Sequence, residues 1–363
     1  MKIAHVVDSM EIGGAETLVS QMCHLQRDLG HDASVYTVTT LGPLGEQMRA
    51  EGFTVQPNVG RHLSDAASSF YRIFKESRPD VVHLHNPTPT VYAGMAARVA
   101  GVPSIVSTRH SLVAPPRRLV VEFKYAVAAA FCDWIVGICD ATINNLKSIH
   151  SIATRKIVRV YNGTTPLRRV ASIYWPPKTG FTLVYVGRLE PVKNHTLLLN
   201  AFCSALKFIP TLQLWIVGDG SERKMLEDLA VKLNIASQIK FWGQQLDVAP
   251  YFSAADAFIM SSKSEGLPIS LLQAFSLGLP AIVTNVGGMA EVVQLAQAGI
   301  IVSIADPAEM AAAIVRLASD GAQRVQFSTN ADGAFRSCFT LQAMVDTYID
   351  LYRNTPHFQG VHE

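Results

Sequence analysis

The chain has 363 residues, 49% apolar and 17% charged, which is enough material for two buried cores of ordinary domain size. Its formal charge of +2 argues against a nucleic-acid partner, and no run of 18 or more uncharged apolar residues offers a membrane-spanning helix. Cys23, Cys132, Cys139, Cys203 and Cys338 contain no C-x-x-C pair and are odd in number, which fits reduced thiols in a cytoplasmic protein.

Strand-like runs at 3–7, 33–38, 81–84, 104–108, 134–138 and 157–161 alternate with helical patterns at 16–29, 68–76, 92–99 and 119–131. This alternation predicts right-handed βαβ units and a parallel sheet covered on both faces. After the first strand, Gly13-Gly14-Ala15-Glu16 opens a helix. Glycines there let backbone approach a ligand, and the helix start favours an anion. The motif is not the G-x-G-x-x-G dinucleotide fingerprint, and a tight turn without a ligand is the alternative. His83 and His85 share one face of a strand. No third ligand is evident near them, so they read as core or cleft lining rather than as a metal pair. Ser107-Thr108-Arg109-His110-Ser111 ends the next strand and faces the expected cleft, where His110 can bond a hydroxyl or shuttle a proton. Pro116-Arg117-Arg118 then precedes an apolar helix. That pattern suits either an anionic membrane surface or an ordinary helix packed on the sheet.

The rhythm breaks over 166–179, which is rich in turn residues and reads as a linker between domains at 1–165 and 180–338. It restarts with strands at 181–186, 213–217, 239–242, 257–260, 281–284 and 300–303. Helices follow after Pro307, the last an amphipathic segment at 341–353 within a terminal piece at 339–363. Residues just past strand ends matter most, because ligands of such sheets lie outside the carboxyl ends. Gly187-Arg188-Leu189-Glu190-Pro191-Val192-Lys193 follows a buried strand, and its two cations can grip a diphosphate, Arg188 as a planar fork and Lys193 as a point charge. Gly218-Asp219-Gly220 suits a backbone-lined pocket. Ser264-Glu265-Gly266-Leu267-Pro268 leads from a strand into a helix, with Pro268 expected in its first turn and Ile269, Leu272 and Phe275 on one face. Glu265 there can serve as a general base, a nucleophile or a hydroxyl acceptor. No D-x-D pair occurs, which argues against a metal-bridged site.

Taken in order, these pieces resemble the retaining glycosyltransferases of family 4. The likeness includes Gly13 to Glu16, His110, Tyr161-Asn162-Gly163, the loop from Gly187 to Lys193, Gly218 to Gly220, and Glu265 to Pro268. It implies an α/β protein of GT-B architecture, two Rossmann-like doubly wound parallel-sheet domains facing a cleft. The second domain would hold a nucleotide-sugar donor and the first an acceptor, with the last helix crossing back to the first. By this resemblance Arg188 and Lys193 bind the diphosphate and Glu265 bonds the donor sugar. Gly14, Gly187, Gly218, Asp219, Gly266, Leu267 and Pro268 line the donor, and His110 lies near the sugar 6-position. Glu16, Arg109 and Arg117 are the acceptor-side candidates. The chain departs from the E-x7-E signature at one position, where Gln273 stands for the Glu that holds the ribose hydroxyls. A neutral amide there weakens that bond.

The expected reaction is retaining, metal-independent transfer of a sugar, with uridine as the base, to a saccharide or lipid-linked saccharide of surface-polysaccharide assembly. No cofactor is implied, and peripheral contact with an anionic membrane at the cytoplasmic face is the companion expectation. A 2-epimerase of the same architecture and a catalytically silent nucleotide-sugar-binding protein are the alternatives.

Overall fold

The computed structural model describes residues 1–57, 63–112, 119–149, 152–170 and 180–355. The chain divides into two compact units, Met1–Thr164 with the final helix Leu341–Arg353, and Thr165–Thr340.

The first unit is built on seven strands: β1 Lys2–Val7, β2 Asp32–Thr37, β3 Thr54–Pro57, β4 Val81–His85, β5 Ser104–Arg109, β6 Trp134–Gly137 and β7 Ile157–Arg159. Their spatial order is β3-β2-β1-β4-β5-β6-β7, and every pairing is parallel. Successive side chains of a strand point to opposite faces. Ala4 and Val6 of β1 therefore join Val82, Leu84, Phe70, Phe74 and Ala93 in one core. Val7, with Val35 and Val55, meets Val19, Cys23 and Met48 in the other. Both faces are covered, so the sheet is doubly wound. The final helix lies against the helix Gly14–Asp28 and against β5, with Tyr348 and Tyr352 buried.

Strand β3 and the helices Gly42–Ala50 and Asp140–Lys147 escape the sequence pattern. The strand Thr54–Pro57 buries only Val55, and its terminal proline is tolerable because β3 sits at the sheet edge.

The second unit carries β8 Thr182–Val186, β9 Gln213–Val217, β10 Ile239–Gly243, β11 Ala257–Met260, β12 Ala281–Thr284 and β13 Gly299–Val302. The order β10-β9-β8-β11-β12-β13 is again wholly parallel. Leu183, Val184, Leu214, Ile216, Phe258, Ile259, Ile282 and Val283 are fully enclosed, as expected of strands sandwiched between helices. Strand order reverses between β1 and β4 in one sheet and between β8 and β11 in the other, and these are the positions where doubly wound sheets bind ligands. Pro268 is not in the first helical turn. It caps the helix Ile269–Ser276 in extended conformation, φ −66° and ψ 131°. Among the described residues no helix is long and apolar enough to cross a membrane.

Candidate functional site

In the second unit the loops that follow β8 and β11 emerge side by side, because those strands are neighbours. The two loops are stitched together. Lys263 N donates to Val192 O at 2.8 Å, and Ser261 Oγ donates to Lys193 O at 2.9 Å. Lys193 Nζ pairs with Glu265, whose carboxylate also accepts from Ser262 Oγ at 2.8 Å. Both charged side chains are mostly enclosed, at 15% and 13% exposure. Arg188, two residues past the same strand that leads to Gly187, is exposed and forms no ion pair with any described carboxylate. One cation is thus held in reserve by a carboxylate while another stands open to solvent, an arrangement able to receive a polyanion.

The backbone around this pair is crowded. Gly187 N donates to Val217 O at 3.0 Å, Leu189 N to Asp219 O at 2.9 Å and Gly218 N to Gly243 O at 2.8 Å. Gly218 adopts φ +138°, and a Cβ there would lie 1.9 Å from Gly187 O, so only glycine lets the two strand ends meet. Asp219 is occupied by its own loop, accepting from Gly220 N and Arg223 Nη1, each at 2.8 Å. The Gly220 bond in particular holds its carboxyl below the usual range. Gly266 O accepts from Gly288 N at 2.7 Å, which ties the turn to the next helix. Leu267 is buried and Gln273 half-buried, and the Gln273 amide makes no hydrogen bond to a described residue.

In the first unit Gly13 caps the helix Gly14–Asp28 and lies under the Glu16 carboxylate, since a Cβ on Gly13 would fall 2.3 Å from Glu16 Oε2. A Cβ on Gly14 would meet open space. Arg109 is 1% exposed, and its fork is filled from within. Nη1 and Nη2 donate to Glu122 at 3.0 and 2.7 Å, and the guanidinium lies 5.2 Å from the Tyr125 ring centre. Arg117 lies outside the described residues. His110 N donates to Asn86 Oδ1 at 3.0 Å, and Asn86, just past β4, holds φ +76°. That is strained backbone for a non-glycine residue, of the kind that gathers at functional sites.

His83 and His85 do have a third neighbour, contrary to the sequence reading. The register of β1 on β4 puts His5 beside His83, and the three rings bring a nitrogen each within 4.8 Å of one another. Seventy-eight residues separate them in the chain, and only the strand pairing reveals the cluster. His83 bonds the Tyr352 hydroxyl and Thr108 Oγ1, both at 2.7 Å, and Thr108 Oγ1 meets the Tyr348 hydroxyl at 2.9 Å. His85 bridges His5 and His110, each at 3.0 Å, and His5 reaches Gln26 Oε1 at 2.8 Å. Burial disfavours the charged ring throughout. It lowers His5 and His110 to about 4 and carries His83 and His85 well below their ordinary value.

Residues 12–166 match the family model described as Glycosyltransferase Family 4, and residues 173–333 match Glycosyl transferases group 1. The chain is 27% identical to the UDP-Gal:alpha-D-GlcNAc-diphosphoundecaprenol alpha-1,3-galactosyltransferase of Escherichia coli, over 97% of this chain and 96% of that one. It is 32% identical to the lipopolysaccharide core biosynthesis glycosyltransferase LpsD of Rhizobium meliloti, over 48% of this chain and 50% of the relative. Among solved structures, Anabaena HepE in complex with UDP superposes with TM-score 0.83 at 18% identity, covering 96% and 99% of the two chains. The apo lipopolysaccharide outer core galactosyltransferase WaaB gives 0.75 at 18%, covering 97% and 99%. Likeness at that identity speaks for the fold, and the fold is GT-B.

Proposed function

We propose that this chain, which belongs to glycosyltransferase family 4, transfers a hexose from a UDP-sugar to a hydroxyl of a lipid-linked saccharide, retaining anomeric configuration and using no metal. One observation carries the reading: the Lys193–Glu265 pair beside exposed Arg188, at the switch point of the second sheet. The donor diphosphate takes Lys193 and Arg188 as its cations. Glu265, released from Lys193, then accepts from hydroxyls of the donor sugar. Amides opening the helix Ile269–Ser276 add fixed positive charge at the phosphates, stabilisation that needs no reorganisation as charge develops. Gly187, Gly218 and Gly266 admit the donor close to backbone, and Gln273 meets the ribose. On the first unit Gly14, Glu16 and His110 serve the sugar and its acceptor, and Arg109 shapes that surface through Glu122.

The donor C1–O bond to phosphate breaks while a C1–O bond to the acceptor forms on the same face. The acceptor proton passes to the departing phosphate oxygen, and the nucleoside diphosphate leaves. The UDP bound to HepE and the lipid-linked substrate named for the Escherichia coli relative support the donor and acceptor classes. A second surface supports a lipid-borne acceptor. The helix Leu119–Ala129 presents Val120, Phe123 and Val127 to solvent, and the helix packed against it, Pro87–Ala100, presents Met95 and Val99. Lys124 lies among them, and the composition suits peripheral contact with an anionic membrane at the cytoplasmic face.

A thermal-shift screen with UDP-, GDP- and ADP-sugars tests the donor. A true donor at 100 times its Kd stabilises the protein by about 2.7 kcal/mol. Failure of every UDP-sugar to stabilise it overturns the donor assignment. Tight binding with no turnover over a broad panel of acceptors would make the chain a sugar-nucleotide-binding protein instead.

A further inference from the structure

Four residues of the first unit form one hydrogen-bonded line, Gln26 Oε1 to His5 Nε2, His5 Nδ1 to His85 Nε2, and His85 Nδ1 to His110 Nε2, at 2.8, 3.0 and 3.0 Å. Gln26, His5 and His85 are 0, 0 and 2% exposed. A neutral imidazole has one donor nitrogen and one acceptor nitrogen, so each bond in the line dictates the next. The Gln26 oxygen accepts only, hence His5 carries its proton on Nε2 and accepts on Nδ1. His85 then donates from Nε2 and accepts on Nδ1, and His110 donates from Nε2. One lone pair remains, on His110 Nδ1. That atom is enclosed and has no partner among the described residues, a costly state for a buried acceptor unless a ligand donates to it. Burial keeps every ring of the line neutral, which the logic requires. Stacking holds the rings in place, with His5 to His85 and His85 to His110 each 5.3 Å between centres.

We propose that Gln26, His5 and His85 are positioning residues that fix His110 as the Nε2–H tautomer, so that Nδ1 presents a hydrogen-bond acceptor to a hydroxyl of the saccharide substrate. The relay itself is a property of the ligand-free chain. Only its last contact rests on the glycosyltransferase reading given above. The arrangement selects for a ligand that donates at this point: a hydroxyl fits, whereas an ether oxygen or a carbonyl presents a second acceptor and is rejected.

The test uses the full chain labelled with ¹⁵N-histidine, where ring nitrogen shifts report each tautomer directly. His110 resonances are identified by their loss in His110→Gln. In the wild type, His110 is expected as the Nε2–H form. Gln26→Leu removes the anchoring acceptor, and the tautomer ratio at His110 should fall by roughly fivefold, the bias that one net hydrogen bond supplies. Gln26→Met, of nearly the wild-type length but without the acceptor, should lower the ratio as Gln26→Leu does, whereas a merely structural loss of packing would be repaired by its bulk. A wild-type His110 protonated on Nδ1, or a ratio unmoved by Gln26→Leu, overturns the relay. Adding UDP-glucose, UDP-galactose or UDP-N-acetylglucosamine then probes the final contact: at least one should shift His110 Nδ1. If the relay behaves as expected and turnover is seen, yet neither these donors nor the turned-over acceptor moves Nδ1, the contact with substrate is wrong while the glycosyltransferase reading stands.

Discussion

Lys193→Met removes the cation facing Glu265 while keeping a side chain of similar length. Breaking a fully buried ion pair costs about 3–5 kcal/mol, because the surviving charge is stranded. Here the two side chains keep 15% and 13% exposure, and Ser262 Oγ still donates to the carboxylate at 2.8 Å. The discounted cost is about 2 kcal/mol, which in a unit of this size lowers Tm by roughly 4–8 °C. The effect on UDP binding is smaller than a free cation would give. A charged hydrogen bond to phosphate contributes about 1.5–3 kcal/mol, but Lys193 must leave Glu265 to make it, so the net loss is about 1–2 kcal/mol, a factor of roughly 5–30 in Kd. Urea unfolding of Lys193→Met, Glu265→Gln and the double variant, with calorimetric titration of UDP on each, measures both quantities. The single variants should be non-additive by about 1 kcal/mol or more. Additive stabilities together with an unchanged Kd for UDP would refute the exchange of partners on which the donor site is built.

Arg188→Ala should leave urea stability within about 0.5 kcal/mol, since an exposed side chain with no ion pair among the described residues supports no core. Its Kd for UDP should rise by the full value of a charged contact, about 1.5–3 kcal/mol, and so by more than in Lys193→Met. Gln273→Glu should tighten UDP by about 1 kcal/mol, because a carboxylate accepts from both ribose hydroxyls with charge assistance; no change would mean that residue 273 does not touch the ribose. Phe123→Asp places a charge at the centre of the exposed apolar helix face and should abolish sedimentation with vesicles containing anionic lipid while leaving Tm unchanged. Equal sedimentation of the variant would remove that face as the contact.

The second sheet was legible strand by strand because each buried strand is a short apolar run bounded by turn residues, as in Ala257–Met260 or Ala281–Thr284. Strand β3 was not, since one buried valine carries no period. Candidate residues were found one loop at a time, for the same reason that their partners were missed. Local pattern places Lys193 and Glu265 at strand ends but says nothing of the strand order that joins them across 72 residues. His5 reads as an ordinary strand residue until β1 is paired with β4, and Gln26 reads as a helix polar residue until its helix is laid on that sheet. Arg109 looks like a strand-end cation. Its burial against Glu122 depends on where the following helix docks.

The most direct measurement is the anomeric configuration of the product. The full chain is incubated with a UDP-α-hexose, a prenyl-diphosphate-linked N-acetylglucosamine and EDTA, and the new linkage is read by proton NMR. An α-linked product formed at an undiminished rate is expected, because Arg188, Lys193 and helix amides supply the positive charge at the leaving diphosphate. A β-linked product, or turnover that EDTA abolishes and Mg²⁺ or Mn²⁺ restores, would contradict it.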